Sequence, residues 1–480
     1  MRKFPLFFPG ILLLGILSAC NSREKILWIS STDSLRWQKH ESLMLTEISG
    51  TTNVISVSEN RPAQVIEGFG GCFNELEWDA LSVLDTAARD SLIGLFFGPK
   101  SDLKFNLCRV PIGANDYAMN WYSLDDTAGD FDMKFFTISR DEKNLIPFIR
   151  MALDREPGMK IWASPWCPPA WMKTNRHYAC RMSANNDLKG KDLEGKEGVS
   201  EFIMEPRYLS AYALYFSKFI QAYRSENIPL YAVHVQNEPN SCQDFPSCLW
   251  KASDLALFIG HYLGPKLSRD VPDAEIWYGT IERSTLANID TVLEDPEARK
   301  YVKGLGFQWA GKDAIGPSHD NYPGLPLMET ESECGDGSND WKAAEYTFSL
   351  MRKYFSAGAG AYMSWNMILD ETGKSQWGWK QNSLVSVIRE SKKIVFNPEY
   401  YLFCHVTHFV EPGARWLPTQ GMNSNMLAFR NPDGTVVIIL YNEKDTDDTV
   451  VISTPAGNFK TSLSPRSFNT FVYSHLQESG

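Results

Sequence analysis

Positive charge is scarce in this 480-residue chain, which has 47 Lys and Arg against 58 Asp and Glu and a formal net charge of −11. Nucleic-acid binding depends on clustered Lys and Arg, so this balance argues against a nucleic-acid partner. Histidine is also scarce, with 8 residues, and the HExxH, GxSxG and CxxC motifs are absent. These absences argue against a zinc site and a serine-hydrolase nucleophile, and no cofactor or metal is implied.

Long apolar runs are absent except at the start of the chain. The stretch from Phe4 to Leu17 is almost wholly apolar, follows two basic residues and is shorter than a membrane span of about 20 residues, as in a secretory signal. It ends Leu17-Ser18-Ala19-Cys20, which resembles a bacterial lipobox; a plain signal peptide with a chance cysteine is the alternative. We expect residues 1–19 to be removed and Cys20 to anchor the exported protein to the bacterial envelope, at the outer membrane or facing the periplasm.

Eight further cysteines remain in what we expect to be an exported protein, where disulfides are permitted. Cys242 and Cys248 lie in one loop-like stretch and could pair. The others are scattered through apolar runs, so we expect buried free thiols there.

Short apolar runs that each end in polar, Gly or Pro residues recur along most of the chain, with helix-like stretches between them. Alternation of strand and helix eight times is typical of a (β/α)8 TIM barrel, and near-continuous apolar strands fit a parallel sheet buried on both faces. The predicted strands are Val65–Phe73, Phe105–Gly113, Lys160–Pro165, Leu230–Gln236, Glu275–Gly279, Gly304–Trp309, Leu325–Thr330 and Ala359–Ile368. Helices are predicted over Arg207–Ser225 and Asp340–Phe355 from their apolar spacing.

The C-terminal part of the chain has a different pattern, with short β-rich runs and a strong turn signal at Asn431-Pro-Asp-Gly434. It predicts an antiparallel module to which the early segment Glu47–Ser56 adds strands. We therefore place the barrel at 64–405 and an appended β-sandwich at 406–480, joined by N-terminal strands from 20–63. The strands predicted in the module are Met426–Arg430, Thr435–Tyr441, Thr449–Ser453 and Thr470–Tyr473.

Carboxylates follow two of the predicted barrel strands at the end where TIM-barrel catalytic residues lie. The fourth strand leads into Asn237-Glu238-Pro239, and the seventh ends in Glu329, Glu331 and Glu333. Two carboxylates facing one another across a barrel mouth suit glycoside hydrolysis, one as acid and one as nucleophile. The alternative is that Glu238 caps a helix and the other three belong to a solvated loop. His234, within the fourth strand, is expected to be a hydrogen-bonded histidine of the barrel core.

Several longer segments make the chain similar to glycoside hydrolase family 30, which contains glucosylceramidases and β-1,6-glucanases. The resemblance extends from about Gln64 to Trp416 and implies a (β/α)8 barrel joined to a β-sandwich. The segments that carry it are Glu67-GFGGCFNE-Leu76, Arg109-VPIG, Ala163-SPWCPPAWMKTN, Val235-QNEPN, Asp295-PEARKYVKG-Leu305, Thr330-ESECG and Ser364-WN.

This resemblance assigns a role to each candidate site residue. It implies that Glu238 is the acid/base and Glu331 the nucleophile, with Glu329 and Glu333 as alternatives because the strand register is uncertain by two residues. Asn237 matches the residue that binds the sugar 2-hydroxyl, and Glu75 stands where glucosylceramidases have an Asp that binds glucose hydroxyls. The other substrate-binding residues implied are Trp166, Gln308, Trp309 and Trp365, the tryptophans as walls of the pocket.

One segment departs from the glucosylceramidase pattern. Where those enzymes have His-Trp-Tyr after the sixth strand, this chain has Gln308-Trp309-Ala310, and the hydroxyl that would contact the nucleophile is missing. The sequence therefore favours β-1,6-glucan over glucosylceramide, with xylosidic or fucosidic substrates as further alternatives. A surface carbohydrate-binding protein without activity, and a barrel metallohydrolase, are the rival classes.

The 15 tryptophans fit either a large core or sugar stacking.

Overall fold

The computed structural model describes residues 25–45, 54–58, 63–421 and 425–474. Its centre is a sheet of eight parallel strands in one ring order, with the first strand between the second and the eighth. All eight strands lie within or beside the runs that the sequence predicts, so the TIM-barrel prediction is confirmed. In chain order the strands are Gly68–Cys72, Leu107–Pro111, Lys160–Ser164, Leu230–His234, Glu275–Ile281, Val302–Gln308, Leu327–Glu331 and Ala361–Asn366.

The ring closes between the seventh and eighth strands by a mixed set of hydrogen bonds. Gly360 N donates to Leu327 O at 2.8 Å at one end of this seam, and Ser332 N donates to Met363 O at 3.0 Å at the other. Between them the Met363 amide donates to a side-chain oxygen of Glu329 at 2.6 Å. A buried carboxylate thus takes the place of a backbone acceptor, which keeps the Met363 N–H satisfied.

Helices surround the barrel, and the two predicted from apolar spacing are confirmed. Pro206–Ser225 begins with a proline in its first turn, where the missing N–H costs nothing. Trp341–Ser356 is capped by Asp340, whose side chain accepts from Ala343 N. The other α-helices are Glu75–Ser82, Thr86–Phe96, Leu145–Leu153, Ala252–Phe258, Gly264–Asp270, Ala287–Leu293, Pro296–Arg299, Ile315–Asn321 and Pro398–Thr407. In the described part of the chain, none of the helices is long and apolar enough to cross a membrane.

Two mostly antiparallel sheets form the second module, as predicted. One sheet contains Lys25–Ser31, Gln38–Lys39, Leu43–Met44, Arg415–Trp416, Met426–Arg430, Thr435–Asn442 and Ser467–Ser474. The other contains Val54–Val57, Thr419–Gly421, Asp448–Thr454 and Gly457–Leu463. A small third sheet next to the barrel contains Ile368–Asp370, Val385–Ile388 and Lys393–Phe396.

The sandwich contains several strands that the sequence analysis does not predict. The strand Gly457–Leu463 was missed because its alternating buried positions are interrupted by small and polar residues. Of the predicted segment Glu47–Ser56, residues 47–53 lie outside the described residues, and the remainder belongs to the strand Val54–Val57, which pairs with Asp448–Thr454. The N-terminal strand Lys25–Ser31, which pairs with Ser467–Ser474, was not predicted as a strand. An apolar cluster that includes Ile26, Ile438 and Phe471 fills the space between the sheets.

His234 lies in the barrel interior, but its surroundings differ from the prediction. Its ring stacks on Trp162 and Trp277, with centroids 4.0 and 5.4 Å away. Neither ring nitrogen has a hydrogen-bond partner among the described residues. The core location is therefore confirmed and the expected hydrogen bond is wrong, and burial keeps the pKa of His234 well below its usual value.

Candidate active site

Two glutamates meet in a pocket of about 490 Å³ at the carboxyl ends of the barrel strands. Glu331 is the last residue of the seventh strand, and Glu238 follows the fourth strand after three residues. Both side chains line the pocket and are buried. Glu238 has a φ of 45°, a left-handed conformation that non-glycine residues rarely adopt and that is enriched at functional sites.

The side-chain amide of Gln308 connects the two carboxylates. Its Nε2 lies 3.1 Å from Glu238 Oε1 and 3.2 Å from Glu331 Oε2. Its Oε1 accepts from the Thr330 hydroxyl at 3.0 Å, which fixes the direction of the amide. These two carboxylate oxygens are therefore at most about 6.3 Å apart, the sum of the two distances, which places both carboxyl groups at one site.

An irregularity in strand pairing brings Gln308 into this position. The register between the sixth and seventh strands shifts after Phe307, so that Phe307 pairs with Glu329 but Gln308 pairs with Glu331. A regular ladder would place Gln308 opposite Thr330 instead. The shift therefore aligns the amide with the carboxylate at the mouth of the barrel.

A fully buried guanidinium lies beside the pair. Arg109, in the second strand, donates to Glu331 Oε2 at 2.8 Å and to Asn237 Oδ1 at 2.7 Å. It also donates to Ser164 Oγ and to the Thr330 carbonyl. The rings of Trp166, Trp162 and Trp365 surround it at 4.1, 4.9 and 5.3 Å. Arg109 thus places a fixed positive charge against Glu331 and aligns Asn237 with the same group.

The surroundings of the two carboxyl groups give them different protonation states. Burial raises the pKa of Glu238 above its usual value, while hydrogen bonds from Gln308 and Gln243 oppose the rise. Burial also raises the pKa of Glu331, to about 7, although Arg109 favours its charged form. Two neighbouring buried carboxylates share one negative charge more easily than they hold two. Of the two glutamates, Arg109 contacts Glu331 alone, so the negative charge belongs on Glu331 and the proton on Glu238.

The other two glutamates of the seventh-strand cluster do not line the pocket. Glu329 is fully buried in the barrel seam, where it accepts the Met363 amide. Glu333 forms an ion pair with Lys312 at 2.5 Å and accepts from the Tyr346 hydroxyl. Of the three register alternatives, the structure brings Glu331 to Glu238.

Glu75 lies apart from the two glutamates, and its carboxylate is already bonded. It accepts from Arg140 at 2.7 and 2.8 Å, from Met119 N at 2.8 Å and from Asn144 at 3.2 Å. It is not among the residues that line the pocket. These contacts use both oxygens in a structural ion pair, which does not support the expected role in binding sugar hydroxyls.

Asp116 is the pocket carboxylate that sequence reasoning missed. It lines the same pocket as the two glutamates, and its buried Oδ1 has no hydrogen-bond partner among the described residues. Burial and the charge of Glu331 raise its pKa well above the usual value. It follows the second strand by five residues, so the strand-end argument that found Glu238 would have found it too.

The predicted aromatic walls are only part of the lining. Trp166 and Trp309 line the pocket, and Trp365 packs against Trp166 with ring centroids 5.2 Å apart. Trp309 is 37% exposed and has a φ of 47°, and its side chain is hydrogen-bonded to Glu331. Phe245 and Trp379, which pack against each other, were not predicted and line the pocket as well. Residues 25–45, 54–58, 63–421 and 425–474 contain no group of three His, Cys, Asp or Glu that could hold a metal ion.

Comparison with known proteins identifies the two modules. The model for the glycosyl hydrolase family 30 TIM-barrel domain matches residues 66–410, and that for the family 30 beta sandwich domain matches residues 417–471. The lysosomal acid glucosylceramidase of Mus musculus is 26% identical over 88% of this chain and 84% of its own length. An endo-1,6-beta-D-glucanase of Aspergillus fumigatus is 26% identical over 85% of each chain. The solved structure of the endo-beta1,6-glucanase BT3312 superposes with a TM-score of 0.78 at 22% identity, covering 94% of this chain and all of the other.

Proposed function

The chain belongs to glycosyl hydrolase family 30, and on that premise we propose that it cleaves β-1,6-linked glucan with Glu238 as acid/base and Glu331 as nucleophile. It is a glycoside hydrolase with the double-displacement mechanism typical of its family. The assignment of roles rests on one observation: a single amide nitrogen is bonded to both carboxylates, and only one of them contacts a guanidinium.

The mechanism follows from these contacts. The Glu331 carboxylate attacks the anomeric carbon while the Glu238 carboxylic acid donates its proton to the departing oxygen. Ester formation removes the negative charge of Glu331, which lowers the pKa of Glu238 and lets it act as a base toward water. That water then releases the sugar with its β configuration retained. Gln308, bonded to both carboxyl groups, holds them at one site before the reaction begins.

Three further groups are suited to hold the sugar. Asp116 offers an unpartnered, buried oxygen to sugar hydroxyls. Asn237 accepts from Arg109 and from the Thr280 hydroxyl through Oδ1, which leaves its amide nitrogen to bind the 2-hydroxyl beside the nucleophile. Trp166 supplies a flat apolar face in the same pocket. Ala310 provides no hydroxyl, and Gln308 is the residue that contacts Glu331 from the sixth strand.

The rest of the pocket lining favours a carbohydrate over a lipid as the leaving group. Its wall combines aromatic rings, which stack on sugars, with polar and charged side chains. A ceramide would place two hydrocarbon chains against these groups, at a cost in desolvation. The residues concerned are Gln243, Phe245, Trp309, Asp336, Trp379, Lys380 and Gln381. Glucosylceramide remains the second candidate because a glucosylceramidase is similar over most of the chain.

The substrate is tested by separating the products formed from linear β-1,6-glucan, with Glu238→Gln as the blank. Glucosylceramide and xylan are incubated in parallel. We expect soluble products from β-1,6-glucan alone: a ladder of oligomers indicates cleavage within chains, and glucose alone indicates attack from chain ends. Release of glucose only from glucosylceramide would overturn the β-1,6 assignment and leave the two-carboxylate mechanism intact.

We also propose that the enzyme is attached to the bacterial envelope by lipid on Cys20, which lies outside the described residues. Cys20→Ser should then move the protein from the membrane fraction to the soluble fraction without changing its activity. Gel mobility and detergent partitioning provide the measurement. Retention of the Cys20→Ser protein on membranes would contradict this proposal.

A further inference from the structure

A second cluster of reactive side chains lies beside the pocket and takes no part in the proposed mechanism. Cys180 Sγ donates to Glu201 Oε2 at 2.9 Å, and the thiol of Cys242 is hydrogen-bonded to that of Cys180. Lys173 Nζ lies 3.7 Å from Cys180 Sγ and 3.9 Å from Glu201 Oε2. Cys180, Lys173 and Glu201 are fully buried, and Cys242 is 7% exposed.

The cluster contains one buried positive charge, the Lys173 ammonium, and a buried charge requires a neighbouring charge of opposite sign. The Lys173 ammonium donates to three carbonyl oxygens, of Tyr178, Ala179 and Ser247, and these are neutral. Its anionic neighbour is either the Glu201 carboxylate or the Cys180 thiolate, which share a proton across the 2.9 Å contact. Although burial opposes ionisation, the Cys242 hydrogen bond and the Lys173 charge lower the pKa of Cys180 well below its usual value. Burial raises the pKa of Glu201 to about 9, so Glu201 is able to take up the thiol proton.

The backbone segments that carry the two thiols are hydrogen-bonded to each other. Cys180 N donates to the carbonyl of Gln243, the residue after Cys242, at 2.9 Å, and Arg181 N donates to the same oxygen. Cys180, Cys242 and Leu249 form one small apolar cluster, whereas Cys248 belongs to the main core. The sequence left open a pairing of Cys242 with Cys248, and the structure offers Cys180 as an alternative partner for Cys242.

We propose that Cys180 and Cys242 are the site of a disulfide bond that joins the loop after the third barrel strand to the segment that carries Glu238. Both residues are thiols in the structure, and the disulfide is the oxidised form of the same site. A hydrogen bond between the two thiols and one between the adjacent backbones bring the two segments together before the bond forms.

An external disulfide such as oxidised glutathione supplies the oxidant. Cys242, 7% exposed against 0% for Cys180, is the thiol closer to solvent. Its sulfur attacks one sulfur of that disulfide, the S–S bond breaks, and the departing glutathione takes up the Cys242 proton and leaves as a thiol. Cys180 gives its proton to Glu201 and attacks Cys242 Sγ, expelling the second glutathione as a thiolate. Two protein thiols are oxidised by two electrons, and one glutathione disulfide is reduced to two thiols. Lys173 then remains paired with Glu201 once the carboxyl releases the proton.

The crosslink would support the active site through Gln243. The Gln243 carbonyl accepts from Cys180 and Arg181, and its side chain donates to Glu238 Oε2 at 3.3 Å. Closing a loop of about 60 residues restricts the unfolded chain. We therefore expect the oxidised protein to melt about 5 °C above the reduced protein.

The bond is tested on the full-length wild-type protein after incubation with oxidised glutathione. Denaturation without reductant, alkylation with iodoacetamide and peptide mass mapping should give one linked peptide pair that contains Cys180 and Cys242. The matched control Cys248→Ala should give the same linked pair. Alkylation of both Cys180 and Cys242 in the oxidised sample, or a link from Cys242 to Cys248, would overturn the proposal.

Melting of the Cys180→Ser, Cys242→Ser and doubly substituted proteins distinguishes a crosslink from simple packing. If the thiols are joined, each single variant loses the whole effect of oxidation and the double variant loses no more. Additive losses, with a melting temperature that reductant does not change in the wild-type protein, would contradict the crosslink.

Discussion

Replacement of Glu331 by Gln is expected to reduce kcat/KM by about 10⁴-fold or more on any substrate that the wild-type enzyme turns over. The amide that replaces the carboxylate cannot form the glycosyl ester, so the first chemical step is lost with every leaving group. The measurement is initial rate against substrate concentration, with the melting temperature recorded alongside. A folded protein is expected because Arg109 keeps its bonds to Ser164, Asn237 and the Thr330 carbonyl.

Glu329→Gln and Glu333→Gln are the matched controls for this prediction. Burial raises the pKa of Glu329 well above its usual value, so a neutral Gln in the barrel seam is close to the native state. Glu333 bonds to Lys312 and Tyr346 away from the pocket. We expect both controls to retain activity within about tenfold of the wild type. A loss confined to either control, with Glu331→Gln still active, would move the nucleophile to that residue.

Glu238→Gln is expected to lower kcat/KM by about 10²–10⁴-fold on substrates whose leaving group is a sugar, but far less on a dinitrophenyl glycoside. A dinitrophenolate departs without protonation, so the first step no longer needs an acid. The second step still lacks its base, and the glycosyl-enzyme should accumulate as a burst of dinitrophenol. Azide, which needs no base, should restore turnover and give a β-glycosyl azide. Equal losses on both substrates, with no rescue by azide, would remove Glu238 from the acid/base role.

The pH profile of the same variant provides a second readout. In the wild type, kcat/KM should fall at low pH as Glu331 gains a proton and at high pH as Glu238 loses one. Because burial raises both pKa values, both limbs should lie above the usual range of a glutamate. In Glu238→Gln the basic limb should disappear. The acid limb should stay close to its wild-type position, because Glu238 carries its proton while Glu331 titrates and a neutral Gln resembles that state.

The barrel and its strand ends could be read from the sequence because they depend on local patterns. Mostly apolar runs such as Ala361–Asn366 are short, are buried along their whole length and end in a polar residue. The long helix Pro206–Ser225 shows its buried face in its apolar spacing. The strand Gly457–Leu463 was missed for the opposite reason, since its pattern is weak and depends on pairing with Asp448–Thr454.

Site residues were found where the family resemblance or the strand-end rule was applied, and missed where neither was. Arg109 begins the segment Arg109-VPIG, which contributes to the family resemblance, but the sequence analysis assigned no role to its charge. The structure places its guanidinium 2.8 Å from Glu331. Asp116 and Glu75 are both acidic residues near strand ends, and no local pattern favours Asp116 over Glu75. The difference is a local contact: Arg140 neutralises Glu75, while an oxygen of Asp116 has no partner.

By itself, the sequence determined that eight strands alternate with helices, that a β-rich module follows, and that glutamates stand after the fourth and seventh strands. These features depend on periodicity and on chain order, both of which can be recognised from the amino-acid sequence alone. Only the tertiary structure decided that Glu331 faces Glu238, that Gln308 bonds to both, and that Cys242 contacts Cys180. Each of these depends on a register shift or on contacts between distant segments. Such contacts are fixed by how the barrel closes and its loops pack, and this is not visible in any local stretch of sequence.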